Sequence, residues 1–218
     1  MPAFDGITLV HADDSLLVLD KPAGLLSVPG RGPDKQDCLS ARVQRHFADA
    51  LIVHRLDMAT SGLLVMARGA AMQRALSMAF AQRSVHKQYV AVVDGHLAPP
   101  ATEWGQIELP LRLDWPRRPL NIVAADGKPS LTRWRVLAQT HGATGQPQTR
   151  VALEPITGRS HQLRVHLQAL GHAIVGDTLY APPEVQAASP RLLLHASTLT
   201  LPHPVQGQTL QFSSPAPF

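Results

Sequence analysis

A single cysteine, Cys38, stands in 218 residues. This excludes an internal disulfide and any multi-thiolate metal site, and it fits a reducing compartment. Aromatic residues make up only 5% of the chain, with two tyrosines, so an aromatic ring beside a reactive group carries weight. No apolar run approaches the roughly 20 residues that span a bilayer. The start, with Asp5, Asp13 and Asp14, lacks the basic-then-apolar pattern of an export signal. These absences predict a soluble, cytoplasmic protein with no membrane partner. Phosphate-loop and metal motifs are missing as well. Gly24, Gly30 and Gly32 are interrupted by Pro29 and Pro33, and no Gly-Lys-Ser/Thr follows them. No HExxH segment occurs, and His161 and His166 lie five apart, where one helical face needs three or four. No metal is expected.

What is present is enough apolar material for a core: 44% hydrophobic residues against 17% charged. Twenty Lys and Arg oppose sixteen acidic residues, a net charge of +4. That excess permits nucleic-acid binding without demanding it, because affinity follows clustering. Short β-type runs dominate, over 7–10, 16–19, 63–67, 88–93, 131–138, 150–153, 192–201 and 209–212. Three segments repeat at helical spacing. Leu39, Val43 and Phe47 follow Asp37 as N-cap. Met72, Leu76, Ala79 and Phe80 share a face. Leu163, Leu167 and Leu170 follow Ser160 as N-cap, with Gly171 as the stop. Cys38 reads as a small buried residue at the first of these. Strands outnumber helices without alternating with them, which predicts an α+β fold: a mixed, mostly antiparallel sheet flanked by helices and long loops. The 19 prolines place irregular connections over 98–126 and 181–191. No repeat or composition break divides the chain, so a single domain over 1–218 is expected.

The most informative stretch is His54-Arg55-Leu56-Asp57-Met58-Ala59-Thr60-Ser61-Gly62, followed at once by the apolar run Leu63-Leu64-Val65-Met66-Ala67. Asp57 therefore sits on a loop delivered to one end of a buried strand, a position where geometry is fixed and the space above is open. An isolated Asp before Thr-Ser-Gly would simply bracket the turn. Other segments follow in order: Lys21-Pro22-Ala23-Gly24-Leu25, Lys87-Gln88-Tyr89-Val90-Ala91, Gly127-Lys128-Pro129-Ser130, Thr157-Gly158-Arg159-Ser160-His161-Gln162-Leu163-Arg164, Gly171-His172-Ala173-Ile174-Val175-Gly176-Asp177 and Arg191-Leu192-Leu193-Leu194-His195-Ala196.

This ordered series, spanning about residues 7 to 215, resembles the RluA-type pseudouridine synthases. The resemblance implies their fold, with a catalytic cleft across the sheet, and an enzyme that converts uridine in RNA to pseudouridine without a cofactor. Asp57 would be the nucleophile, whether through C1′, through C6 or by a glycal route. Tyr89 would pack against the target uracil and help move the C5 proton, where propensity alone gives only a half-buried strand tyrosine. Arg164 would pair with Asp57, where composition alone gives a solvated helix arginine. Arg55 would fill the stack left by the flipped nucleotide. Arg31, Lys21, Lys128, Arg159 and His161 would contact the RNA, the last two near a helix start.

Related enzymes often carry a small S4-type RNA-binding domain ahead of the catalytic region; with the first strand expected by about Ile7, none is expected here. The likeness is greatest to dual-specificity members acting on a tRNA anticodon-loop uridine and a 23S rRNA hairpin uridine, which implies a monomer reading stem-loops by shape. A catalytically inactive RNA-binding protein on the same fold has no need of Asp57, Tyr89 and Arg164 together. A hydrolase pairing Asp57 with histidines finds no partner at recognisable spacing.

Overall fold

The computed structural model describes residues 3–218, which fall into two compact units. One comprises residues up to Lys87 with His195–Pro217, the other Gln88–Leu194 with Phe218. Both boundaries lie inside strands, so no linker composition marks them in the sequence. The elements run β1 (Ala3–Phe4), β2 (Ile7–Ala12), β3 (Leu16–Lys21), a 3-10 turn (Pro33–Lys35), α1 (Leu39–Gln44), β4 (Ala50–Ile52), β5 (Ser61–Arg68) and α2 (Gly69–Ala81). They continue with β6 (His86–Asp94), β7 (Gly105–Glu108), β8 (Leu111–Leu113), β9 (Asn121–Val123), β10 (Leu131–His141) and β11 (Pro147–Pro155). Last come α3 (Gln162–Ala169), α4 (Pro183–Ala187), β12 (Leu194–Pro202) and β13 (Thr209–Ser213). Among the described residues no helix is long and apolar enough to cross a membrane.

In the first unit β1, β2, β3 and β5 pair antiparallel in that order, and β4 pairs antiparallel with β5. β12 joins β5 in parallel, and β13 returns antiparallel along β12. β5 is apolar and buried along almost its whole length, as a strand covered on both faces must be. Leu63, Val65 and Ala67 meet Leu16 and Val18 of β3, Leu76 and Ala79 of α2, and Leu199 and Leu201 of β12 in one core. In the second unit β6, β11, β10 and β7 form an antiparallel run, with β8 and β9 as a separate ribbon. Leu111 of β8 and Val165 of α3 pack with Tyr180 and Leu120. The α+β class with mostly antiparallel pairing is the one the strand-rich sequence predicts.

Three local expectations are corrected. Asp37 does not cap α1: its carboxylate is held by the Arg42 guanidinium at 2.7 and 2.6 Å, and the cap is Cys38, whose Sγ accepts from Ala41 N–H at 3.5 Å. Ser160 does not cap α3. His161 occupies that position in the left-handed region, at φ 56°. The proline-rich stretches are not wholly irregular, since 98–126 contains β7, β8 and β9 and 181–191 contains α4.

Gly62 is the residue the sequence marks for turn freedom, and the structure gives it two reasons. Its φ is +110°, and a Cβ there would fall within 2.5 Å of the Ala196 nitrogen, because β5 and β12 pair at Gly62–Ala196. Neither strand can yield without breaking the parallel contact. Gly62→Ala is therefore expected to destabilise the protein by about 2–5 kcal/mol, from backbone strain plus overpacking. Equilibrium denaturation is the measurement, and a loss under about 0.5 kcal/mol would contradict the close approach.

Candidate active site

The loop between β4 and β5 carries Asp57, and nearly every residue around it is fastened. Asp57 is partly exposed, and its carbonyl accepts from Thr60 N–H at 3.1 Å in a tight turn. Leu56, just before it, is buried, and its backbone is clamped by Ser27: the hydroxyl donates to Leu56 O at 2.7 Å and accepts from Leu56 N–H at 3.1 Å. Met58, just after it, lends its carbonyl to Gly24 N–H at 2.8 Å and to the Lys21 ammonium at 3.1 Å. The Met58 side chain is 52% exposed, an apolar surface beside the carboxylate that sequence reasoning did not single out.

Lys21 corrects an expectation. It is fully buried, at 0% exposure, and also donates to Pro22 O at 2.9 Å and Leu25 O at 2.7 Å. An ammonium so enclosed cannot serve as a phosphate contact. The Lys21–Leu25 segment is instead a strut that fixes the Asp57 loop. The expected RNA contacts Arg31 and Arg55 are exposed on the same unit.

Two histidines complete the support. His54 Nε2 accepts from Val65 N–H at 3.0 Å and its ring stacks on Phe80 at 4.6 Å, pinning the loop's first half to β5. Burial, with the Lys87 charge nearby, pushes the His54 imidazole down to about 3, so it is neutral at physiological pH and free to accept. His195 Nδ1 lies 2.9 Å from Ser61 Oγ, and its Nε2 lies 3.1 Å from Ser214 Oγ, which donates to Asp20. A serine beside a histidine invites a nucleophile–base reading, but Ser61 and His195 are 3% and 2% exposed. The chain of bonds anchors the start of β5. Only tertiary structure assembles it, since Ser61 and His195 are 134 positions apart.

The second unit supplies Tyr89, Lys128, Arg159, His161 and Arg164. Tyr89 is buried in β6 opposite Leu153 of β11. Arg164 is 4% exposed and makes a two-pronged ion pair with fully buried Asp177, at 2.7 and 2.5 Å, so it is no solvated helix arginine. Asp177 Oδ1 also accepts from the backbone of Leu179 and Tyr180. The Tyr180 ring covers the Arg164 guanidinium at 5.0 Å, while its hydroxyl accepts from Asn121 N–H at 2.8 Å and meets His161 Nδ1 at 2.6 Å. Burial raises the Tyr180 phenol above its usual range, so it stays a neutral hydrogen-bonding group. Asp177 and Tyr180, which hold and cover Arg164, are the supporting residues sequence reasoning did not single out, for the spacing of Asp177 from Arg164 pairs nothing by itself.

Lys128 and Arg159 are exposed and adjacent, Arg159 Nε donating to Pro129 O at 3.2 Å. The Gln162 side chain ties this loop down, accepting from Thr157 and from Arg159 N–H. His166 is buried against Thr132 and Leu109, and burial lowers its imidazole. Among the described residues no group of three His, Cys, Asp or Glu could hold a metal ion.

His54 gives a test of this support. The unfolded imidazole protonates near 6.5 and the folded one only near 3, so the unfolded state binds the extra proton and this contribution to stability falls as pH drops from about 6.5 toward 3. Its slope is at most about 1.4 kcal/mol per pH unit. His54→Gln, which accepts from Val65 N–H without taking up a proton, should flatten wild type's fall across that window in denaturation series. Parallel curves would show that His54 titrates normally.

Comparison with known proteins places this geometry. The family described as RNA pseudouridylate synthase matches residues 15–169. The dual-specificity RNA pseudouridine synthase RluA of Escherichia coli (strain K12) is 48% identical over 213 residues, 97% of this chain and 94% of that protein. Its namesake from Vibrio parahaemolyticus is 50% identical over 197 residues, 90% of this chain and 78% of that one. Among solved structures, human RNA Pseudouridylate Synthase Domain Containing 1 superposes with a TM-score of 0.81 at 29% identity, covering 100% of this chain and 86% of that one. The chain belongs to the RNA pseudouridylate synthase family, enzymes that isomerise uridine in RNA to pseudouridine.

Proposed function

We propose that this enzyme acts in the cytoplasm, as a monomer with one catalytic domain, on uridines presented by stem-loop RNA, both in a tRNA anticodon loop and in a 23S rRNA hairpin, with Asp57 as nucleophile. The observation that carries the reading is the Asp57 loop: a partly exposed carboxylate in an HRLD segment, clamped on one side through Leu56 and on the other through Met58. A nucleophile is useful only when its approach is fixed in advance, and this loop leaves Asp57 little freedom. Support for the two RNA classes is the 46–50% identity to dual-specificity relatives.

The reaction balances within the nucleoside. The C1′–N1 bond breaks, the detached base turns, C5 bonds to C1′, the C5 proton leaves and N1 takes one up. No electron donor or acceptor and no group carrier is needed. In this reading Asp57 attacks, Tyr89 presents its ring to the uracil and its hydroxyl to the C5 proton, and Arg164 orients charge at the reacting carboxylate. Arg55, exposed two residues before Asp57, occupies the gap left by the flipped nucleotide. Arg31, Lys128 and Arg159 neutralise phosphates, and His161 contacts the RNA beside them.

Release of tritium from RNA labelled at uridine C5 tests the reaction directly. Asp57→Asn, nearly isosteric, should bind stem-loop RNA normally and lose at least about a thousandfold in release rate. Retention within tenfold of wild type would remove Asp57 from the chemistry. Absence of release by wild type, with binding retained, would identify an RNA-binding protein on an enzyme's fold.

Arg164→Lys separates catalysis from affinity. A point charge cannot reproduce the planar fork that grips Asp177, so single-turnover rates at saturating RNA should fall at least about tenfold while Kd moves by less than about threefold. Affinity lost in step with Arg31→Ala, at an unchanged saturated rate, would make Arg164 a phosphate contact.

A further inference from the structure

The second unit carries a feature that the reaction leaves unused. Trp115 stands 64% exposed, in a chain with three tryptophans. An exposed indole offers a large flat apolar face with a polar edge, the kind of ring that serves at contact surfaces. One face of the indole already carries the Arg118 guanidinium, 4.8 Å from the ring. Arg112 and Arg117 are exposed nearby in sequence.

The loop is built to hold its shape. Asp114, buried, accepts from Arg117 Nε at 2.6 Å. Backbone bonds close the turn: Asp114 N–H to Leu120 O at 2.8 Å, Arg117 N–H to Asp114 O at 3.1 Å and Leu120 N–H to Arg117 O at 3.0 Å. Leu120 packs with Leu111, Val165 and Tyr180, and the next residue, Asn121, donates to the same Tyr180 hydroxyl that meets His161. The exposed indole is thus the outer end of a rigid ribbon whose inner end is fixed to Tyr180, the ring covering Arg164.

We propose that Trp115, backed by Arg118, is a stacking platform for an unpaired nucleotide of the substrate RNA other than the uridine being isomerised. The chemistry selects the occupant. A base offers a planar π-face to the exposed indole; Arg112 is paired with Asp126 at 3.2 Å and Arg117 with Asp114 at 2.6 Å, so Arg118, lying over the ring, is the cation that faces a flanking phosphate. A preformed ring loses little freedom when a base settles on it. Stacking accepts any base, so the platform adds affinity for a splayed loop without reading its sequence. It would let one enzyme hold different stem-loops. The proposal rests on the RNA-substrate reading above.

Four proteins, wild type, W115A, W115F and R118A, titrated with a synthetic anticodon stem-loop RNA carrying C5-tritiated uridine, test it. W115A should raise Kd about 5- to 100-fold, W115F by less than about threefold, and R118A by about fivefold. The loss should lie in binding, with single-turnover release at saturating RNA changed less than threefold. The emission difference between wild type and W115F isolates Trp115, and RNA should quench it. W115A binding within twofold of wild type, or emission indifferent to RNA, overturns the platform. So does a Trp115 signal that follows protein concentration without RNA, which would place a second copy of the chain on the loop. If wild type released no tritium while the W115A defect and the quenching persisted, the platform would stand and the isomerase reading would fall.

Discussion

A buried ammonium organises the first unit. Lys21 has no exposure and gives its protons to three backbone carbonyls, two in the turn that follows it and one, Met58 O, thirty-seven positions along. A lysine charge taken out of water is costly unless its donors are met, so these carbonyls cannot drift without stranding it. The coupling works both ways. Carbonyls in a loop that cannot join a strand also need donors, and Lys21 satisfies those of the Pro22–Leu25 turn and of the Asp57 loop with one group. Ser27 and His54 then take up the neighbouring backbone at Leu56 and Val65, so the loop that carries the partly exposed Asp57 is fastened on both sides of it.

The second unit reaches the same end with a different interaction. Arg164 and Asp177 are both buried, and such a pair stabilises little against an apolar alternative of equal volume, because desolvation offsets the attraction. Its value is geometric. The two-pronged contact fixes the guanidinium plane, Tyr180 lies against its face, and Asp177 is fixed in turn by backbone N–H groups of residues 179 and 180. Removing any one member leaves a buried polar group without its partner, so the cluster holds or fails together.

How much of this the sequence reveals depends on whether a signal is local. The eight β-type runs follow from side-chain character over a few residues, and each coincides with a strand. Asp57 was legible because Thr60, Ser61 and Gly62 announce a turn and the apolar run after them announces β5. The caps at Asp37 and Ser160 failed for a local reason too: side-chain oxygen alone does not decide a cap when Arg42 claims the carboxylate or His161 takes the left-handed turn. Lys21 could not be read from its surroundings, because a lysine beside a Pro-Ala-Gly turn looks exposed until a distant loop closes over it. Asp177 and the Ser61–His195–Ser214–Asp20 chain depend on contacts between residues far apart in sequence, which no spacing encodes.

The cations illustrate why a net charge of +4 says little about binding. Lys21 and Arg164 are enclosed, one donating to backbone carbonyls and the other paired with Asp177, so neither is presented at the surface. Several others are partly matched by acids at the surface, as Arg68 is by Asp49 and Arg133 by Glu154. Exposed pairs of this kind contribute little to stability and screen each other's charge. Exposed cations open to an anionic partner include Arg31 and Arg55 in the first unit and Arg118, Lys128 and Arg159 in the second. A polyanion responds to that placement rather than to the total. A modest overall charge is therefore compatible with RNA as the substrate.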